Sequence, residues 1–302
     1  MKNIFITGAT SFIGVNLIKE LIKSKNNIIA IIRNNSKHKD LLSEFNNIKI
    51  VELDMEEIER LPELINIDCD VFYHLAWNGT RGALRDDKSI QTDNYNNSIN
   101  ALNTAQKMGC KIFFSAGSQA EYGVNSGLIS EDVKEAPVTE YGINKLKFCN
   151  YAKEYCKNHN ITFIEPRFFS LYGIGDYENS LINSCINKML NNEDIDLTKC
   201  IQTWNYLNVK DAVKALVLLQ NNNKSGVYNV ASSDTRILKD FIDDIYSVTK
   251  SKSKLNYGAI PYPSTGIVTI NPSIDKIKSE TNWKTEVTFI DGIKEIIETR
   301  SK

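Results

Sequence analysis

The sequence contains few residues that could hold a metal. Only three histidines occur among the 302 residues, and no two of them are close in the sequence. The six cysteines form no Cys-x-x-Cys pair, so a zinc site is not expected. Because no export signal is apparent, we interpret the cysteines as buried thiols of a protein in a reducing compartment. The histidines are His38, His74 and His159, and the cysteines are Cys69, Cys110, Cys149, Cys156, Cys185 and Cys200.

The sequence also lacks a marked excess of charge and any long apolar run. The net charge is -1 and the isoelectric point is about 6.4, which gives no electrostatic reason to expect binding to nucleic acid or to an anionic membrane. No uninterrupted apolar stretch is long enough to span a bilayer. The chain opens directly with Ile4-Phe5-Ile6-Thr7, without the pattern of a signal peptide. We therefore expect a cytoplasmic protein.

The sequence does have a regular alternation of short apolar runs and amphipathic stretches. Several runs are nearly continuous in Ile, Val and Phe, as expected for strands that are covered on both faces. The alternation predicts an α/β fold with a doubly wound parallel sheet of Rossmann type. The predicted strands cover residues 2–7, 27–33, 48–53, 70–75, 111–115 and 161–166. The predicted helices cover residues 13–22, 94–109, 140–157, 179–191, 209–220, 237–250 and 290–299, with Gly109 ending the second.

The first predicted strand leads into a glycine-containing turn before the first helix. Gly8 allows a sharp turn, Gly14 allows the helix to approach the strand, and Ser11 stands where a dinucleotide-binding turn usually has its middle glycine. N–H groups at the start of the helix would then face a pyrophosphate. A plain strand–helix turn is the alternative. The cofactor-binding residues expected here are Gly8, Thr10, Ser11, Phe12, Ile13 and Gly14.

The end of the second predicted strand favours NADP(H) over NAD(H). NAD sites usually place a carboxylate there, whereas NADP sites use a basic residue for the 2′-phosphate. This strand runs into Arg33, followed by Ser36 and Lys37, and has no carboxylate before Asp40. We expect Arg33 to bind the 2′-phosphate; a solvated basic loop is the alternative. After the third strand, Asp54 could bind the adenine amino group or cap the next helix.

Tyr141 and Lys145 are spaced so that they share one face of a helix. The ammonium can then stabilise the phenolate, so that Tyr141 can act as the general acid in reduction of a carbonyl. The Tyr-x-x-x-Lys pair alone is weak evidence, because both residues are common on helices. Together with the glycine turn they indicate an oxidoreductase that uses a nicotinamide cofactor. A hydroxyl that polarises the carbonyl should follow the strand 111–115, where Ser115 and Ser118 are the candidates.

Over almost its whole length the sequence resembles the extended short-chain dehydrogenase/reductases, the NAD-dependent epimerase/dehydratase group that acts on nucleotide sugars. The resemblance implies that Ser118, Tyr141 and Lys145 are catalytic. It also implies cofactor contacts from Leu75, Ala76, Asn94, Pro166, Tyr141 and Lys145. The resemblance is carried by the glycine turn, His74-Leu75-Ala76-Trp77, Asn94 at the start of the next helix, the Tyr141/Lys145 pair, Pro166-Arg167-Phe168-Phe169-Ser170-Leu171-Tyr172-Gly173, Val209-Lys210-Asp211 and Asn282-Trp283-Lys284.

Departures from the family pattern narrow the expected reaction. Dehydratases carry Asp-Glu directly after the catalytic hydroxyl residue, where this chain has Gln119 and Ala120, with Glu121 displaced by one position. Fucose-synthase-type enzymes use a Cys at the position of Ala120 and a later His, but no histidine follows His159. The resemblance is therefore strongest to reductases of nucleotide-linked 4-keto-6-deoxyhexoses. The alternatives are a nucleotide-sugar 4-epimerase with tightly bound NAD and a non-catalytic NADP-binding sensor or scaffold.

The expected substrate site lies between two domains. Residues 1–166, with about 205–225, should form the NADP-binding domain, and residues 167–204 and 226–302 the substrate domain. A place in the core explains Trp77 as well as a place in the sugar pocket does. A solvated loop position explains Arg236 as well as a role as phosphate ligand does. Pro263 stands where related reductases would have Arg. We also expect a homodimer through helices 94–109 and 140–157, with Leu102, Phe148 and Tyr155 as apolar surface. The substrate residues implied by the resemblance are Trp77, Arg81, Ser118, Gln119, Ser170, Trp204 and Arg236.

Overall fold

The computed structural model describes residues 1–262 and 267–300 and confirms the doubly wound parallel α/β fold. Pro263, for which the sequence suggested a departure from related reductases, lies outside these residues. The large sheet has the strand order β11-β7-β5-β4-β1-β2-β3, with a short strand β6 beside β7, and all its pairings are parallel. Its strands are β1 (Asn3–Thr7), β2 (Asn27–Ile32), β3 (Ile48–Glu52), β4 (Val71–His74), β5 (Ile112–Ser115), β6 (Gly117–Ser118), β7 (Thr162–Phe168) and β11 (Gly226–Val230).

Helices cover both faces of this sheet. Two apolar clusters fill the space between strands and helices, one built around α1 and α6 and the other around α3 and α4. Burial on both faces explains why β1, β2, β4 and β5 read as almost uninterrupted apolar runs. The helices are α1 (Phe12–Leu21), α2 (Leu61–Leu64), α3 (Lys88–Lys107), α4 (Glu140–Asn158), α5 (Leu181–Leu190), α6 (Val209–Asn222), α7 (Leu238–Thr249), α8 (Asp275–Thr281) and α9 (Phe289–Arg300).

A third apolar cluster lies away from the large sheet, in the C-terminal part of the chain. It joins α5, α7 and α9 to two small sheets, and Phe241 and Ile293 are fully buried in it. The small sheets have the orders β12-β10-β8 and β13-β9. Their strands are β8 (Ser170–Tyr172), β9 (Ile195–Leu197), β10 (Thr203–Asn208), β12 (Thr235–Ile237) and β13 (Leu255–Tyr257).

The predicted domain division remains a prediction, but the large sheet includes one segment from the part assigned to the substrate domain. Strand β11 pairs with β7, from Gly226 with Ile164 to Val230 with Phe168. Helix α6 precedes it and packs against α1. The chain therefore returns to the large sheet for both α6 and β11 before it enters the final helices.

The predicted boundaries were wrong at α3. The prediction started this helix at residue 94, whereas α3 begins at Lys88, after Asp87, whose carboxylate accepts a hydrogen bond from the Ile90 N–H. Asn94 therefore lies in the second turn of the helix instead of opening it. The early turns are polar, so the apolar pattern began too late to reveal them. Within the described residues, no helix combines the length and apolar composition that a membrane span requires.

Candidate active site

The carboxyl ends of the central strands surround a cavity of about 390 Å³. Thr7 ends β1 and His74 ends β4, and the cavity opens just beyond both strands. This is the edge where ligands bind in open parallel sheets. The predicted site residues that line the cavity are Gly8, Thr10, Ser11, Arg33, Asp54, Leu75, Ala76, Trp77 and Asn94.

The glycine turn fits the pyrophosphate of a nicotinamide dinucleotide. Gly8 has a φ of +66°, and a Cβ there would lie 2.8 Å from the Ala76 nitrogen; a Cβ on Gly14 would lie 2.4 Å from the Gly8 oxygen. The first N–H groups of a helix have no partner within it. At the start of α1, the Ser11 hydroxyl caps the Gly14 N–H, and the N–H groups of Phe12 and Ile13 open the helix. Gly8, Thr10 and Ser11 line the cavity, whereas Phe12, Ile13 and Gly14 are not among its lining residues. The turn can therefore hold an anion where its first residues meet the cavity.

Arg33 lies in the loop after β2 and lines the same cavity. Arg33 is exposed and lines the cavity together with His38, which the sequence reasoning missed although it stands in the same basic loop. Asp54 is at the N-cap position of the turn Met55–Arg60 but makes no capping hydrogen bond. Instead, its carboxylate accepts hydrogen bonds from the backbone N–H and side-chain amide of Asn34, at 3.1 and 2.8 Å. Asp54 thus fixes the loop that carries Arg33.

Tyr141 and Lys145 lie together in the first two turns of α4, as their spacing predicted. Thr139 caps this helix through its hydroxyl, which accepts from the Gly142 N–H. Both side chains are buried, with 8% and 5% of their surface exposed. The Lys145 ammonium donates to the Ala116 carbonyl at 2.6 Å and lies 3.7 Å from the centroid of the Trp77 ring. Trp77 thereby joins the Tyr–Lys pair to the cavity.

Ser118 faces Tyr141 from the end of β6. Its hydroxyl accepts a hydrogen bond from the Ala120 N–H at 3.2 Å, and Ser118 lowers the pKa of the Tyr141 phenol. The backbone N–H of Ser118 donates to the Glu121 carboxylate at 2.7 Å, which completes a reciprocal capping box. Ser118 is therefore held in place by its backbone and by the capping box. Gln119 begins the next turn and is half-buried.

Burial shifts the proton affinities of the two ionisable groups in opposite directions. Burial raises the pKa of the Tyr141 phenol, against the Ser118 hydrogen bond and the charge of Arg85, which lower it. Burial also lowers the pKa of the Lys145 ammonium to about 8, against the Glu121 and Glu165 carboxylates, which raise it. The neutral phenol is favoured, as a proton donor requires, and Lys145 is still charged at neutral pH.

A buried ionic cluster lies beneath Ser118. The guanidinium of Arg167 is fully buried and pairs with Glu121 at 3.1 Å, Glu165 at 3.2 Å and Glu135 at 3.1 Å. The sulfur of Cys149 and the acids Glu121 and Glu165 lie within 4.8 Å of one another, but Arg167 already pairs with both acids. Glu121 is thus bound to Arg167 and to the Ser118 N–H.

Two buried polar residues of α3 fix the loop between β4 and α3. The side-chain oxygen of Asn94 accepts a hydrogen bond from the Asn78 N–H, and its side-chain amide donates to the Asn78 carbonyl, both at 2.9 Å. Gln91 is fully buried, accepts from the Trp77 indole N–H at 2.8 Å and donates to the carbonyls of Gly79 and Leu84 at 3.0 and 2.8 Å. Sequence reasoning missed Gln91, whose position on a polar helical stretch gave no signal.

The predicted substrate residues are less closely grouped. Arg81 is exposed and pairs with Asp176 at 3.1 Å. Ser170 begins β8, and Trp204 is half-buried in β10 between two apolar clusters. Arg236, opposite Trp204 in β12, binds Asp244 at 2.5 Å and lies over the Phe241 ring. Pro166, expected at the cofactor, is buried within β7 and is not among the residues that line the cavity.

Two of the three residues proposed as dimer surface face the core instead. Leu102 and Phe148 are 0% and 1% exposed and belong to the cluster under α3 and α4. Only Tyr155 of the three lies at the outer edge of that cluster, stacked on Tyr151 at 5.8 Å. The apolar period of both helices is satisfied by the sheet, so it carried no information about a partner.

A Rossmann-type sheet with a glycine turn at its first strand, and a Ser–Tyr–Lys group near the same cavity, define a protein of the short-chain dehydrogenase/reductase type. The model of the NAD dependent epimerase/dehydratase family matches residues 4–231. The chain belongs to this family.

Individual relatives match the chain from end to end at low identity. CDP-abequose synthase of Salmonella muenchen is 27% identical over 305 residues, which cover 98% of this chain and 97% of that protein. The crystal structure of UDP-glucose 4-epimerase from Thermotoga maritima with UDP-glucose has a TM-score of 0.88 and 20% identity, covering 99% of this chain and 98% of that one. The dTDP-glucose 4,6-dehydratase of Bacillus anthracis in complex with NAD has a TM-score of 0.86 and 19% identity, covering 100% and 97%. At these identities the two structures establish the fold.

Proposed function

We propose that this enzyme reduces the C4 carbonyl of a nucleotide-linked 4-keto-6-deoxyhexose, with NADPH as its preferred reductant. The observation that carries the proposal is the number of proton-transfer groups at the site. Tyr141 is a placed donor, and Glu121, the acid whose charge acts on its phenol, is already bound to Arg167. A reaction that transfers one hydride and one proton needs no more than this.

The other ionisable groups near Tyr141 are engaged elsewhere. Glu121 is fully buried and bound to Arg167 and to the Ser118 N–H. His74 is buried between Thr7 and Ser98, each at 2.9 Å, and burial lowers its pKa to about 3. Elimination of water and epimerisation next to the ketone both need an additional acid or base. Hydride transfer at C4 is therefore the chemistry that these side chains support best.

Each member of the Ser–Tyr–Lys group has a distinct task in this proposal. The Ser118 hydroxyl binds the carbonyl oxygen of the substrate and polarises it. Tyr141 donates its phenolic proton to the same oxygen as negative charge develops there. Lys145, held in place by the Ala116 carbonyl, stabilises the phenolate that Tyr141 becomes.

The cofactor supplies the hydride when it is bound. The glycine turn would hold its pyrophosphate, and Arg33 would bind the 2′-phosphate that distinguishes NADP from NAD. Support for this choice comes from the exposure of Arg33 at the cavity and from the engagement of Asp54 with Asn34. The similarity to CDP-abequose synthase supports a product that is a nucleotide-linked sugar.

A nucleotide-sugar 4-epimerase is the rival within the same fold, and curated relatives include a putative UDP-glucose 4-epimerase at 26% identity. Such an enzyme would use the same Ser–Tyr–Lys group but would return its cofactor unchanged. The two reactions therefore differ in whether added NADPH is consumed.

The role of Tyr141 can be tested with Tyr141→Phe. The ring and its packing remain, so we expect the variant to fold and to bind cofactor as the wild type does. A positioned general acid contributes roughly 10²–10⁴-fold, so kcat should fall by that order. Tyr151→Phe, on the same helix but stacked on Tyr155, is the matched control and should retain wild-type kcat. A Tyr141→Phe variant with full activity would contradict the mechanism.

A further inference from the structure

Arg85 lies on the ring of the proposed general acid. It belongs to the short turn Gly82–Asp86 that precedes α3. Its guanidinium carbon is 4.5 Å from the centroid of the Tyr141 ring, and its Nη1 donates to the Thr80 carbonyl at 3.2 Å. The residues are 56 positions apart, so no local spacing in the sequence links them.

We propose that Arg85 is a positioning residue for Tyr141, which holds the phenol ring in place and stabilises its ionised form together with Lys145. The role of Arg85 in turnover rests on the proposed function, because it assumes that Tyr141 donates the proton. The contact itself does not depend on the reaction or on the identity of the substrate.

The loop that carries Arg85 is fixed by buried contacts. Gln91 holds it through the carbonyls of Gly79 and Leu84, immediately before Arg85. Asp87, two residues after Arg85, caps α3. The backbone on both sides of Arg85 is therefore anchored, and the guanidinium is held above Tyr141 by more than its own side-chain contacts.

The two cations near Tyr141 differ in geometry and in titration. The Lys145 ammonium is 5.8 Å from the centroid of the Tyr141 ring but only 3.7 Å from that of Trp77. Burial lowers the pKa of Lys145 to about 8, whereas arginine remains charged throughout the accessible range. Arg85 is thus closer than Lys145 to the centroid of the Tyr141 ring.

The groups around Tyr141 shift the pKa of its phenol in opposite directions. Burial raises the pKa of the phenol, and Glu121 also raises it, whereas Ser118, Arg85 and Arg81 lower it. Arg81 is the more exposed of the two arginines and is already paired with Asp176. Removal of Arg85 should therefore move the Tyr141 titration to higher pH, and removal of a distant surface charge should not.

The experiment is a ¹⁹F NMR titration of the full-length protein containing 3-fluorotyrosine. Fluorination makes the phenol more acidic and brings its titration closer to the range in which the protein is folded. Tyr141→Phe identifies the signal of Tyr141 among the 13 tyrosines. Arg85→Gln should titrate at higher pH than the wild type, and Arg85→Lys should lie between them. Arg60→Gln, which removes an exposed arginine paired with Glu57, is the control for net charge.

Turnover provides a second measurement of the same role. A cation over an aromatic ring at a partly exposed site corresponds to about a two- to fivefold effect, so Arg85→Gln should lower kcat by that factor, with partial recovery in Arg85→Lys. An unchanged Tyr141 titration in Arg85→Gln would overturn the inference. So would an increase in KM with unchanged kcat, because that pattern assigns Arg85 to substrate binding. If no ketosugar is reduced, the titration still decides the inference, and only the proposed function fails.

Discussion

Replacement of Arg167 by Met removes the guanidinium that pairs with the buried acids under Ser118 and nearly preserves the volume of the side chain. The guanidinium and the carboxylates of Glu121 and Glu165 are at most 1% exposed. Loss of one partner of a buried ion pair typically costs about 3–5 kcal/mol. We therefore expect Arg167→Met to lower the free energy of unfolding by about that amount, as measured by urea denaturation.

A comparison of variants separates the loss of charge pairing from the loss of volume. Glu121→Gln keeps an oxygen that can accept from the Ser118 N–H, and Arg167 keeps Glu165 and Glu135, so its cost should be smaller, about 1–3 kcal/mol. Lys111→Met breaks the exposed pair with Asp70 and should change stability little.

The loss in the free energy of unfolding caused by Arg167→Met should be larger at high pH than at low pH. Burial raises the pKa of Glu121 well above its usual value of 4.5, followed by the charge of Glu165, and Arg167 opposes both. Without Arg167 the carboxyl group is more stable in the fold when it is neutral. The destabilisation should therefore be complete at high pH and should shrink as the pH falls through the raised pKa of Glu121, well above 4.5. A variant as stable as Lys111→Met at every pH would refute this reasoning.

Three further predictions concern the cofactor, the lysine and the assembly. Arg33→Ala should weaken NADPH binding on the order of tenfold or more and leave NADH binding nearly unchanged in equilibrium titrations; a wild-type preference for NADH would contradict it. In the wild type, kcat/KM for reduction should fall as the pH rises past about 8, because the Lys145 ammonium loses its proton there. In Lys145→Arg this decline should move to higher pH. A pH profile that the substitution does not change would argue against a role of the Lys145 charge in the reaction. If the outer faces of α3 and α4 pair in a homodimer, Tyr151→Arg should yield monomers by light scattering, whereas a monomeric wild type across a wide concentration range would exclude the dimer.

The large sheet was predictable because its strands carry a strong local signal. Strands β1, β2 and β4 are buried on both faces and are nearly continuous in apolar residues. Strands β9, β12 and β13 contain three residues each and pair with distant segments. So short a run has no measurable period, and its pairing is decided by tertiary contacts that the sequence does not display.

The same distinction applies to the candidate site. Tyr141 and Lys145 are four residues apart on one helix, so their proximity follows from helical geometry. Arg85 contacts Tyr141 from another element. Arg167 forms ion pairs with acids from β7, from the turn after β6 and from the segment near residue 135. These contacts depend on how the loops fold over the sheet edge. The departures at Gln119 and Ala120 were informative because they lie in a motif whose chemistry depends on position.

The most direct measurement follows the hydride itself. The wild type would be incubated with NADPH carrying deuterium at C4 of the nicotinamide, on either face in turn, and with CDP-, dTDP-, UDP- and GDP-linked 4-keto-6-deoxyhexoses. Parallel incubations would contain the corresponding 4-hydroxy sugars. The proposed reaction predicts that, with one of the two labelled forms, one deuterium appears at C4 of the sugar for each NADPH oxidised. Interconversion of unreduced 4-hydroxy sugars without oxidation of added NADPH would contradict it and would identify an epimerase, and no change in any sugar would point to a non-catalytic protein.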